Sequence, residues 1–204
     1  MILLVRYVFI ILTFITISVA QIKQPRGQPN PLPKPIQQPP YSLIRGYLTF
    51  EIREYLAGSW IIADVGPFSN ISMGVQLLNS YFDGENSQKQ SMTKTVPLLI
   101  MKVGPDRFQT SLYIPFEYQK EPAPKPTSDL LHIDHLPTQR FGAAYYYEHS
   151  PSELSLSFFS TALRAIVGET ISDEYDVEKH GYMYANYDAL LEQEPELLIP
   201  INLL

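Results

Sequence analysis

Four histidines, His132, His135, His149 and His180, are the side chains best suited to ligate a metal, and cysteine is absent. His132 and His135 stand three apart in a stretch with strand periodicity, so they point to opposite faces and cannot chelate one ion without a bend. Each reads as an ordinary surface histidine unless it faces a groove, where it could ligate iron. No metal centre is therefore expected. Glu54 is the carboxylate best placed for acid–base chemistry, because it shares a strand face with Phe50 and Ile52, and burial there would raise its pKa toward the range of a catalytic acid or base. The opposed reading is an edge carboxylate beside Arg53 or at a strand end. No Ser-His-Asp order, phosphate loop or metalloprotease motif occurs, and a non-enzyme is expected.

The elements that must carry these residues follow from periodicity. Alternation from Tyr47 onward predicts a strand with Phe50, Ile52 and Glu54 on one face and Glu51, Arg53 and Tyr55 on the other. Gly58 then breaks the chain before Trp60-Ile61-Ile62-Ala63, a second strand predicted to pair with the first as a hairpin. Phe68, Ile71, Val75, Leu78 and Phe82 recur at helical spacing, with Ser69 or Asn70 as cap and Gly84 as stop. Met73, Leu77 and Tyr81 form a second apolar stripe on that helix, which needs a loop or a bound ligand as its partner.

Strands are predicted over 93–103 and 108–115, joined by the turn Gly104-Pro105-Asp106, then over 130–135 and 138–147. A second helix carries Leu156, Phe159, Leu163 and Ile166 and stops at Gly168, and strands over 177–187 and 197–202 close the chain. The order strand-strand-helix-strand-strand occurs twice. It predicts an α+β fold in which two similar halves share one antiparallel sheet or open barrel, with both helices on its outside.

Composition bounds the partners. The 204 residues suffice for one domain, and 25 aromatics (14 Tyr, 10 Phe, 1 Trp) supply its core. A net charge of −6 without a basic cluster argues against nucleic acid. Without cysteine there is neither thiol chemistry nor c-type haem attachment. Residues 1–20 combine Arg6, an apolar run and the small residues Ser18-Val19-Ala20, which predicts a signal peptide cleaved after Ala20 and a secreted chain with no membrane segment thereafter. Residues 21–46, proline-rich over 24–40, read as a linker, and 47–204 as the domain. Asn70-Ile71-Ser72 is a glycosylation sequon.

Ordered motifs resemble the SOUL haem-binding family. Leu78, Tyr81, Phe82, Gly84 and Asn86, followed by Thr95, Pro97 and Leu98, match its helix ending and the segment after it, with Lys94 at the family's methionine position. Phe50-Glu51-Ile52-Arg53-Glu54-Tyr55, Trp60, Ser111-Leu112-Tyr113-Ile114-Pro115 and the prolines Pro122, Pro124 and Pro126 fall in the family's order.

The resemblance implies a duplicated, distorted antiparallel β-barrel like that of effector-binding domains, with two long helices packed on its outside. It also implies non-covalent binding of haem, a porphyrin or another flat apolar ligand between the first helix and the last long loop. On that reading the wall is Met73, Val75, Leu77, Leu78 and Tyr81 from the helix and Tyr187, Leu190 and Leu191 from the loop, with Lys94 as the nearest cation. Ser72, Glu192 and Glu54 stand where haem-binding members are described as offering two basic residues and a histidine, so the family's polar contacts to haem are missing. Two other classes stay open. One is an extracellular module for a protein or lipid that has lost the tetrapyrrole, and the other is a small-molecule hydrolase using Glu54.

Overall fold

The computed structural model describes residues 36–120, 122–148, 150–177, 181–187 and 193–204. Ten strands and two helices follow in the order β1 (Tyr41–Gly46), β2 (Glu51–Tyr55), β3 (Gly58–Gly66), α1 (Ile71–Phe82), β4 (Leu98–Gly104), β5 (Arg107–Tyr113), β6 (Leu131–Leu136), β7 (Gln139–Tyr145), α2 (Glu153–Ile171), β8 (Tyr175–Val177), β9 (Tyr182–Asn186) and β10 (Glu196–Leu203). Nine strands run antiparallel as β1-β2-β7-β10-β9-β4-β5-β3-β6, and β8 pairs with β10 outside that order.

The connections make the sheet curl. β2 lies toward one end and β3 toward the other, yet only Leu56 and Ala57 separate them. Only Pro137 and Thr138 separate β6 from β7, again across the gap. The two links meet, because the Ala57 amide donates to Thr138 Oγ1 at 3.1 Å. Strands so linked must wrap toward each other, and the result is a half-barrel with a seam between β2 and β3. The hairpin expected from Gly58 does not form, since β3 pairs with β5 and β6 instead. A two-residue hairpin needs positive φ in its turn, and no residue from Leu56 to Gly58 has it.

Three further expectations are corrected. Residues 41–46, read as linker, form β1 and pair with β2. Gly168 does not end the second helix, which continues to Ile171 because Val167 and Ile171 extend its buried stripe. The strand expected over 177–187 is two strands, β8 and β9, with residues 178–180 outside the described residues.

The core is double-sided. One cluster joins both helices to the sheet, with Leu78, Tyr81 and Phe82 of α1 and Leu156, Leu163, Val167 and Ile171 of α2 against Ile61, Phe108 and Ile199. The other contains Trp60, Leu99, Phe141, Ala185, Tyr187 and Leu198 and no helix residue. Strands buried on both faces lose the polar-out alternation of a half-buried strand, and β2 shows it: the consecutive residues Glu51, Ile52 and Arg53 are all buried.

The ends of α1 explain its family-like motif. Neither Ser69 nor Asn70 caps it through a side chain; Asn70 instead donates its amide to the Val65 carbonyl at 3.0 Å. At the other end Gly84 adopts φ 110°, its amide donates to the Tyr81 carbonyl, and the Glu85 amide donates to the Ser80 carbonyl, the two bonds of a Schellman stop. Buried Asn86 then donates to the Tyr81 and Gln90 carbonyls and accepts from the Gln88 and Gln90 amides. These residues terminate the helix and fasten the loop after it.

Candidate functional site

The helix-free face of the sheet holds a cleft, walled by Tyr55, Trp60, Leu99, Phe141, Met183 and Leu198, with Leu56 and Pro137 at the seam and Pro39 from the segment before β1. Tyr55 and Trp60 come from strands far apart in the sheet order, so it is the curl that brings them together. Tyr55 meets Phe141 edge-on at 5.6 Å between centroids, and Trp60 meets Tyr113 likewise at 5.3 Å. The lining is apolar and aromatic, the composition of small-molecule sites.

Beside the cleft lies a buried ionic network. Along β2 and β10 the residues two before Tyr55 and Leu198, Arg53 and Glu196, share their face. Arg53 donates through Nη1 and Nη2 to the two carboxylate oxygens of Glu196, at 2.7 and 2.8 Å, and through Nε to Glu51 at 2.7 Å. Tyr187 donates to Glu196 Oε2 at 2.9 Å, and the Tyr41 ring lies 4.8 Å from the guanidinium. Burial opposes charge on Arg53, but Glu196 outweighs it and raises the guanidinium's affinity for its proton. Burial, reinforced by Glu196, pushes the Tyr187 and Tyr55 hydroxyls well above the ordinary phenol range. These surroundings therefore keep Tyr55 and Tyr187 neutral and Arg53 charged.

The residues predicted to form one wall are separated. Met73 is 39% exposed on α1, and Val75 and Leu77 are half-buried. Leu78 and Tyr81 are fully buried toward the sheet, and the Tyr81 hydroxyl donates to the Pro124 carbonyl at 2.8 Å. Tyr187 belongs to the opposite cluster, with its hydroxyl in the ionic network, so it does not meet α1. Leu190 and Leu191, like Glu192, lie outside the described residues. Lys94 is exposed and pairs with Asp83 at 3.1 Å. Asn70 is half-buried at the start of α1, and Ser72 is exposed.

Glu54 is half-buried and accepts from Arg140 Nε at 2.7 Å. It lies on the strand face opposite Tyr55 and thus turns away from the cleft. His132 Nδ1 stands 3.3 Å from Asp64, and His135 is exposed beside Ser59. His149 and His180 lie outside the described residues. Among the described residues no group of three or more His, Cys, Asp or Glu side chains is arranged to hold a metal ion.

A tetrapyrrole meets this site with matching chemistry and mismatched size. The cleft is shallow, with a volume of about 40 Å³, far below the ~300 Å³ or more of a ligand pocket. The outer face of α1 presents Ser72 and Gln76 beside Met73, and the cation at the end of the helix, Lys94, is engaged by Asp83. As built, the residues fit an apolar ring edge and do not enclose a whole macrocycle.

No curated protein matches the chain. Among solved structures it is similar to the EcmrR C-terminal domain (8% identity, 79% of this chain and 98% of that one, TM-score 0.48). It is also similar to a hydrolase from Listeria innocua (10% identity, 83% and 94%, TM-score 0.48) and to SAV2435 bound to tetraphenylphosphonium (6% identity, 75% and 93%, TM-score 0.41). The family described as SOUL heme-binding protein matches residues 36–195. The ordered motifs from β2 to the proline connection, the curled antiparallel sheet with two helices and this match agree: the chain belongs to the SOUL haem-binding protein family.

Proposed function

We propose that this chain is a secreted, non-catalytic binding protein for haem, an iron-free porphyrin or a similar flat apolar ligand, whose apolar edge enters the cleft between Tyr55, Trp60 and Phe141. Family membership supports the ligand class. The observation that carries the choice of site is the apolar and aromatic lining of the cleft, set against the polar outer face of α1. The pairing of Glu54 with Arg140 on the other face of β2 favours binding over hydrolysis. Secretion rests on residues 1–20, and a glycan at Asn70 belongs to the same proposal. The strand order supports a duplicated architecture, in which β3-α1-β4-β5 and β7-α2-β9-β10 are equivalent units meeting at the β4–β9 pair.

Titration of the purified mature chain with hemin, followed at the Soret band, tests the ligand class. Saturable binding tighter than that of an unrelated acidic protein is expected, and equal affinity would contradict it. A second reading, an extracellular docking module for protein or lipid, draws on Leu154 and Phe158, which are 80% and 60% exposed on α2 and lie four residues apart on one side of it. That reading expects Leu154→Ser and Phe158→Ser to abolish capture of a partner and leave hemin binding intact.

A further inference from the structure

The mismatch between an aromatic lining and so small a volume has a visible cause. Pro39 is buried as part of the cleft wall, and Ile36 packs against the cluster formed by Trp60, Phe141 and Leu198. Space that a ring would need is taken by the chain's own proline-rich segment. Proline-rich peptides dock into aromatic-lined grooves because their extended form costs little entropy to fix, and residues 36–40 (Ile-Gln-Gln-Pro-Pro) meet such a groove here.

The fastening of this segment is slight. The Gln37 carbonyl accepts from the Val96 amide at 3.0 Å, and the Pro40 carbonyl accepts from the Leu56 amide at 3.0 Å. The Gln37 side chain accepts from the Phe116 amide at 2.6 Å and donates to Glu117 at 2.9 Å. Ladder pairing begins only at Tyr41. Pro39 and Pro40 have no N–H to satisfy, and of the three amides that would lose acceptors, those of Leu56 and Phe116 belong to exposed residues, where water can replace the bond, and only that of Val96 belongs to a buried one. Departure of the segment thus uncovers apolar wall and leaves few buried polar groups unpaired.

We infer that residues 36–40 are a releasable strap that occupies the cleft in place of a ligand, so that a flat ring binds only when the strap leaves. This rests on the assignment of the cleft as the ligand site. The strap acts as an intramolecular competitor, and the apparent affinity equals the intrinsic affinity multiplied by the fraction of molecules with the strap open.

The test uses the full mature chain, with Gln37→Ala and the double variant Ile36→Asp/Gln37→Ala. Amide exchange at Val96 and Leu56, whose acceptors are main-chain carbonyls untouched by either substitution, reports release without any ligand. Protoporphyrin IX, titrated by absorbance, reports access. Both amides are expected to exchange faster, and protoporphyrin to bind about tenfold tighter if the strap is open in roughly a tenth of wild-type molecules. A synthetic peptide of residues 24–40, added to the double variant, is expected to bring the affinity back toward wild type.

Faster exchange with unchanged or weaker affinity, in a protein whose binding Leu56→Arg still abolishes, would show that the strap is a wall and not a competitor, leaving the cleft assignment standing. Unchanged exchange in both variants would show that the strap is not releasable, and the inference fails. Protoporphyrin binding that ignores Leu56→Arg, or no binding at all, would remove the cleft assignment and the strap with it.

Discussion

Arg53 and Glu196 are joined by two hydrogen bonds across 143 residues of sequence, and their side chains are each only 2% exposed. Their strands are not neighbours, because β7 runs between β2 and β10, so the pair ties three strands at the inner face of the curl. With Glu51 the group carries two carboxylates and one guanidinium. Arg53→Ala strands both carboxylates in the interior and is expected to cost ~3–5 kcal/mol, the scale of breaking a buried pair by removing one partner. Arg53→Lys does not rescue it, since an ammonium cannot reproduce the two-pronged contact. Glu51→Gln keeps an acceptor for Arg53 Nε and removes the surplus charge, so stability stays within about 1 kcal/mol. Urea denaturation of the three variants measures all of this. An Arg53→Ala protein as stable as wild type would contradict the account.

Gly74 is where α1 touches the sheet. A Cβ there would collide with Val65 Cγ1 and stand 2.5 Å from Thr110 Oγ1. In an exposed helix Gly→Ala stabilises by up to ~1 kcal/mol, whereas overpacking a close contact costs ~1–3 kcal/mol. Gly74→Ala is therefore expected to lower Tm, and a raised Tm would show that α1 stands off the sheet.

Alkaline stability follows from the buried phenols. Burial pushes Tyr81 and Tyr146 up to about 12 and raises Tyr55, Tyr184 and Tyr187 well above the ordinary phenol range, while unfolded tyrosine ionises near 10. A raised folded pKa means that the folded chain holds more protons above pH ~10, so stability falls as pH rises through that range. The contribution is complete below pH ~10. Tm is expected to be level up to about pH 9 and to drop by about pH 11, with phenolate absorbance appearing together with unfolding. A Tm unchanged across that interval would contradict the assignment of these hydroxyls as buried and neutral.

Local chemistry made parts of this molecule legible in the sequence. The stop at Gly84 needs only a glycine after an apolar stripe, and the β4–β5 hairpin needs only Gly104-Pro105-Asp106 between strand-like runs. The buried stripe of α2 through Leu156 and Leu163 follows from spacing alone. What failed depends on distant partners. Gly58 read as the break of a hairpin, although Leu56 and Ala57 before it carry the chain across the seam. Residues 41–46 read as linker because they follow prolines and form a sheet edge, with Leu43 and Ile44 exposed. Tyr81 read as a ligand wall, and nothing near it in sequence announces its bond to the Pro124 carbonyl. Alternation placed Glu51, Arg53 and Tyr55 on one face, but burial on both faces of β2 and the partner at Glu196 appear only when the sheet curls.

The account's central claim is that a flat apolar ring enters the cleft and is held there by apolar contact. Parallel titrations with hemin and protoporphyrin IX on four proteins test it: wild type, Leu56→Arg at the seam, Met183→Arg in the wall, and Met73→Ser/Leu77→Ser on α1. The two rings are expected to bind wild type within about threefold of each other, under ~1.4 kcal/mol apart, because burial and not iron ligation supplies the affinity. Both arginine variants should weaken them at least tenfold, and the α1 variant should leave them unchanged. Binding lost in the α1 variant and retained in the arginine variants, or hemin binding tenfold tighter than the iron-free ring, would contradict the claim.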